Sequence, residues 1–139
     1  MAYFAKLQDK NGELPERSTI DSAGYDLKSV EHCIIYPGER KLIKTGLTCK
    51  MNNREYLSIV PRSGLALKQG ITVLNTPGTV DADYYPNEIG VILYNAGNEI
   101  FDVHKGDRIA QAILCEYKTM GLDLVKNTER SGGFGSTGK

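Results

Sequence analysis

Residues 89–116 read IGVILYNAGNEIFDVHKGDRIAQAILCE. Three apolar, β-branched runs, near 89–94, 100–103 and 108–116, are cut by Ala96-Gly97-Asn98 and Lys105-Gly106-Asp107. Runs this short, closed by Gly, Asn and Asp, read as strands joined by turns. The same punctuation continues upstream and downstream. Further strands are expected near 2–7, 24–28, 33–36, 40–47, 55–60, 71–74, 79–81 and 122–125, with breaks at Gly38, Gly46, Asn52-Asn53, Pro77-Gly78 and Pro86-Asn87. Many short strands at this spacing predict an all-β barrel or jelly roll. One segment, SGLALKQG, predicts a helix of a turn or two, with Ser63 as N-cap and Gly70 closing it. A β-barrel domain is expected over residues 1–126. The polar, glycine-rich residues 127–139 contain one large apolar side chain, Phe134, and are expected to form a flexible arm.

A chain of 139 residues suits one domain with a real core. Lys+Arg and Asp+Glu both number 17, so the surface lacks the cationic excess that non-specific nucleic-acid binding needs. A small anion held by a few local cations remains compatible with that balance. Cys33, Cys49 and Cys115 are odd in number and form no C-x-x-C, which points to reduced thiols. His32 and His104 are the only histidines and form no H-E-x-x-H pattern, which argues against zinc. The first residues lack the features of a signal peptide, and no run reaches membrane-spanning length, so a cytoplasmic protein is expected, or a nuclear one in a eukaryote or its virus.

Five segments carry polar groups that could act on a ligand. In PRSGLA, residues 61–66, a helix start, a hydroxyl, a glycine and Arg62 together make a phosphate seat; the same residues also suit a capped surface turn. In NTPGTVDADYYPN, residues 75–87, an extended backbone would put Asp81 and Asp83 on one face, where they could hold a cation or supply a base; the same residues read more simply as a polar hairpin loop. The amide of Asn75 can donate and accept at once, as reading a nucleobase edge or forming a turn requires. AGYDLKS, residues 23–29, sets Asp26 in a strand-like context, where a carboxylate wants an Arg or a hydrated metal beside it, or else lies at the surface, the reading the residues alone favour. In GDRIAQAIL, residues 106–114, Arg108 and Gln111 interrupt an apolar strand. The last residues, GGFGSTGK, fit the start of a P-loop, but the helix a P-loop needs after Lys139 is not expected.

In content and order these segments resemble the five motifs of the trimeric deoxyuridine triphosphatases (dUTPases). AGYDLKS is similar to the first, PRSGLAL to the second, and NTPGTVDADY with GVILYN to the third; GDRIAQAIL and GGFGSTG are similar to the fourth and fifth. The resemblance implies a distorted jelly-roll barrel, a homotrimer with sites at subunit interfaces, and magnesium-assisted hydrolysis of dUTP to dUMP and pyrophosphate. It implies that Asp81 activates the attacking water and that Asp26 holds the metal through water. Asn75 and Gly78 would read uracil, and Tyr84 would lie under the deoxyribose. Arg62, Ser63, Gly64, Gln111 and Arg130 would contact phosphates. Phe134 would cover the base, while Gly135, Ser136 and Thr137 would close over the outer phosphates as an arm crossing from another subunit. The same fold also hosts a dCTP deaminase-like or nucleotide-sensing role. Two departures stand out. Tyr85-Pro86-Asn87 lengthens the hairpin by one residue where the family usually reads D-Y-R-G, and Arg130 stands one residue closer to Phe134 than usual.

Overall fold

The computed structural model describes residues 1–126, 129, 130 and 132–135. Among these residues twelve strands and one α-helix follow in order: β1 Tyr3–Lys6, β2 Glu16–Arg17, β3 Gly24–Lys28, β4 Cys33–Ile35, β5 Arg40–Lys44, β6 Leu47–Lys50, β7 Glu55–Val60, α1 Ser63–Gln69, β8 Ile71–Val73, β9 Gly78–Asp81, β10 Gly90–Asn95, β11 Phe101–Val103 and β12 Arg108–Glu116. All pairings are antiparallel. The largest sheet runs β2-β3-β12-β7-β9; beside it lie β5-β10-β8, β11-β4 and β1-β6. The fold is all-β and jelly-roll-like.

Alternation places the core. Along β10, Val91, Leu93 and Asn95 point inward, and along β7 Leu57 and Ile59 do the same. They meet Leu27, Ile35, Ile43, Leu47, Ile71, Val73 and Val103 in one buried cluster. Asn95 is tolerated there because every polar atom is used. Its Nδ2 donates to the carbonyls of Ile35 and Glu99 at 2.9 and 2.8 Å, and its Oδ1 accepts from Gly97 N–H at 2.9 Å. Leu93 sits on the central strand of its sheet and is fully buried. Leu93→Ala is therefore expected to cost about 2–5 kcal/mol of stability, read as a lower urea midpoint.

Three expectations change. The run 40–47 is two strands, because Thr45-Gly46 breaks it, with Gly46 at φ 69°. A side chain at Gly46 would also strike the backbone of Gly12, 2.6 Å away, where the chain crosses. The two-residue strand β2 is too short and polar to show in the sequence; it forms by pairing Glu16 and Arg17 with Asp26 and Tyr25. Residues 122–125 form no strand. Leu122, Leu124 and Val125 make a short apolar run, but within the single chain they stay exposed and pair with no strand. Among the described residues, no helix is long and apolar enough to cross a membrane.

Candidate active site

The site residues gather in two clusters on the largest sheet. The first is built on β3 and β12. Asp26 lies opposite Gln111 in the ladder, and Lys28 lies opposite Arg108. Arg108 and Gln111 are an odd number of residues apart, so a regular strand would aim them at opposite faces. A bulge between Arg108 and Ala110 absorbs Ile109 into the core and turns both polar side chains to the face of Asp26. Asp26 Oδ1 stands 3.7 Å from Arg62 Nε, and its Oδ2 stands 3.9 Å from Arg108 Nη1. Ser18 Oγ donates to the same carboxylate at 3.4 Å. Arg62 also donates to the Arg108 carbonyl at 3.2 Å, which anchors the segment before α1. Gln111 Nε2 donates to the Pro61 carbonyl at 3.1 Å. Gln111 lies flat against Gly24, where any Cβ would come within 2.1 Å of its Oε1.

Helix α1 starts beside this cluster. Arg62, with extended backbone, is its N-cap, and no side chain caps it. Ser63 is instead the first helical residue, which corrects the expectation of a Ser63 cap: its hydroxyl stays exposed and available. Gly64 borders open space, so its backbone can be approached closely. Gly70 ends the helix at φ 70°, and its N–H bonds the Ala66 carbonyl as expected.

The second cluster surrounds β9. Asp81 ends that strand, and Ala82–Tyr84 form a single 3-10 turn rather than extended chain. Asp81 and Asp83 nonetheless share one cation. Arg130 from the arm donates Nη2 to Asp81 and Nε to Asp83, the latter at 2.6 Å. The Asp83 hydrogen bond is the largest influence holding this guanidinium charged. Tyr84 donates its hydroxyl to the Glu88 carbonyl at 2.6 Å, and burial raises its pKa, so it stays a phenol. The Glu88 carboxylate accepts from Gly46 N–H at 2.8 Å, tying the lengthened hairpin to the barrel. Asn75 rests against Gly78, whose Cβ position lies 3.5 Å from the Asn75 amide nitrogen. The arm packs on this same hairpin. A Cβ at Gly133 would meet the Tyr84 ring at 2.7 Å, and the Phe134 ring reaches over Gly90. Phe134 and Gly135 adopt positive φ, 51° and 98°, which turns the arm back. Ser136 and Thr137 lie outside the described residues.

The clusters are far apart within one chain. Three strand spacings separate β3 from β9, and the ladder from Val60, opposite Gln111, to Tyr56, opposite Asp81, adds four residues along β7. Together that is roughly 20 Å. Arg108 and Ser18 complete the first cluster without having been singled out as site residues. The Asp-Arg step in GDRIAQ hinted at Arg108, but only the bulge shows where it points. Nothing near Ser18 in the sequence marks it.

A barrel with a carboxylate–arginine–amide cluster, a paired-aspartate hairpin and a glycine-rich arm has the chemistry of a phosphate-handling enzyme. Residues 10–138 match the family model for dUTPase, and the chain belongs to the dUTPase family. It is similar to the deoxyuridine 5'-triphosphate nucleotidohydrolase of Nautilia profundicola, 49% identical over 140 residues, covering 96% of this chain and 98% of the relative. Its fold is similar to the crystal structure of dUTPase from Streptococcus mutans, at TM-score 0.80 and 30% identity, covering 85% of this chain and 98% of that one. It also superposes on a mutant dUTPase from phage phi11 of S. aureus, at TM-score 0.79 and 21% identity, covering 92% and 98%. That phage protein coordinates a structural Mg(II) ion.

Proposed function

We propose that this chain hydrolyses dUTP to dUMP and pyrophosphate at sites shared between copies of itself in a homotrimer. The observation that carries the shared site is the separation of the clusters. The Asp26–Arg62–Gln111 end holds phosphate and metal ligands, and the Asp81–Tyr84 end holds the base, yet one chain sets them too far apart to act on one nucleotide. A cyclic, head-to-tail arrangement brings one end of each subunit to the other end of the next. The exposed apolar side chains of Met120, Leu122, Leu124 and Val125 are suited to burial against such a neighbour.

In this reading Asp81 removes a proton from water aligned on the α-phosphorus, and pyrophosphate leaves. Arg62, Arg108 and Gln111 orient and neutralise the phosphates, with the first N–H groups of α1 and the Ser63 hydroxyl beside them. Asn75 reads the uracil edge, Gly78 leaves space beside it, and Tyr84 lies under the sugar. The arm then closes, with Phe134 over the base and Gly135, Ser136 and Thr137 on the outer phosphates. In closing, Arg130 exchanges its aspartates for phosphate, which frees Asp81 to act.

Magnesium fits this cluster only together with nucleotide. Asp26 offers hard oxygen ligands, but Arg62 and Arg108 already flank it, so the local charge is positive. A triphosphate reverses that sign, and Asp26 would then hold the hydrated ion, which when bound neutralises charge on the phosphates. Glu88, the carboxylate a deaminase-like reading would require, is engaged by Gly46 N–H.

Pyrophosphate release measured with dUTP, dCTP, dTTP and UTP in the presence of magnesium tests the reaction: turnover of dUTP alone is expected, and turnover of none would overturn it. Subunit mixing tests the shared site. Asp26→Asn and Asp81→Asn chains, each inactive alone, are expected to regain about a quarter of wild-type activity when co-refolded, the share of interfaces that combine both native carboxylates. No recovery would place both carboxylates of a site in one chain. Gly24→Ala is expected to lift Gln111 off its seat and raise KM for nucleotide about tenfold, with an unchanged melting temperature. An unaltered KM would remove Gln111 from phosphate binding.

A further inference from the structure

The two histidines of this chain, distant in sequence, meet in space. In the β4–β11 ladder Val103 pairs with Cys33, so the next residues out, His104 and His32, face each other across the strands. Their rings stack with centroids 5.0 Å apart. Asp102 lies two residues before His104 and so projects from the same face. His32 Nε2 is 2.6 Å from Asp102 Oδ1, and His104 Nε2 is 3.4 Å from Asp102 Oδ2. Both Nε2 atoms thus converge on one carboxylate, and the three ligand atoms lie within 4.8 Å of one another.

We propose that His32, Asp102 and His104 form a binding site for a first-row divalent transition metal, of which zinc is the probe of choice. Imidazole nitrogen with one carboxylate oxygen suits zinc, nickel or copper and suits magnesium poorly. The surroundings favour that role. On the far side of the His104 ring, Nδ1 faces Asp107 Oδ2 at 3.7 Å, and Asp107 also accepts the His104 backbone N–H at 2.8 Å. At that separation Asp107 makes no hydrogen bond to Nδ1, but a carboxylate on the side of the ring away from the metal is positioned as the outer partners of metal-binding histidines are. The hydrogen between His32 Nε2 and Asp102 occupies the place the ion would take. All three side chains are exposed, so the ion can enter without unfolding, and three protein ligands leave a coordination position open. Bound metal would clamp β4 to β11, which form only a two-stranded sheet. The site uses none of the residues assigned to dUTP and stands independently of that reaction.

With only two histidines, the imidazole region of a nitrogen-15 spectrum of the full chain contains two spin systems. Zinc chloride is titrated at mildly alkaline pH in excess magnesium. Both imidazoles are expected to shift together and saturate at one zinc per chain, and zinc is expected to raise the melting temperature. His32→Gln, His104→Gln and Asp102→Asn should each weaken zinc binding by about tenfold or more, at unchanged folding without zinc. Unmoved imidazoles, a shift of one alone, or equal zinc affinity in the His32→Gln/His104→Gln double variant would overturn the proposal.

Discussion

Asp81→Asn is expected to lower the rate of pyrophosphate release by about 10²–10⁴-fold while leaving nucleotide affinity within a few-fold. The amide is nearly isosteric but cannot take a proton from water. Structural damage is a poor rival explanation, because Asp81 ends its strand, is half exposed, and contributes its backbone rather than its side chain to the Tyr56 pairing. The lost partner is Arg130, which keeps Asp83. Stopped-flow turnover beside equilibrium binding of a non-hydrolysable analogue separates the two quantities. Near-normal turnover would remove Asp81 from the role of base, and a parallel loss of affinity would make it a binding group instead.

Ending the chain after Lys126 is expected to leave the unfolding midpoint almost unchanged and to reduce turnover by about 10²-fold or more. Among the described residues none of the buried core lies beyond Ala112, so the described part of the arm adds nothing to the interior. It does carry Arg130, the cation that spans Asp81 and Asp83, and Phe134, whose ring is exposed in the free chain. An aromatic left largely in water at the end of a positive-φ turn gains most when a flat ligand slides beneath it. A parallel loss of folding stability would show that the arm braces the hairpin. Retained activity would show that closure is not needed. Gly133→Ala offers a smaller version of the same test, since its methyl group would strike the Tyr84 ring.

Much of the barrel was legible because its cause is local. Alternation along GVILYN and EYLSIV, with glycine and asparagine between runs, sets strand type and inward face from residues next to one another. The order of motifs identified the family, and within the third motif Asn75 sits with Gly78; Asp26 and Gln111, from the first and fourth, meet only because β3 pairs with β12. Elsewhere a partner distant in sequence decides. The apolar run of Leu122, Leu124 and Val125 forms no strand, because a strand needs a partner to pair with and the single chain brings none to it. Ser63 has the chemistry of a cap, yet the backbone turns one residue earlier, at Arg62.

From residue order alone come the all-β class, the short helix with its glycine stop and the glycine-rich arm, consequences of short-range propensity and patterning, while the ordered motifs point to the family by resemblance. Long-range pairing supplied the rest. A one-residue bulge put Arg108 and Gln111 on the same face as Asp26, the ladder set Asp26 and Asp81 at opposite ends of one sheet, and an antiparallel register brought two distant histidines onto one carboxylate. Each depends on which strands lie side by side and in what register, and no local stretch of sequence carries that information.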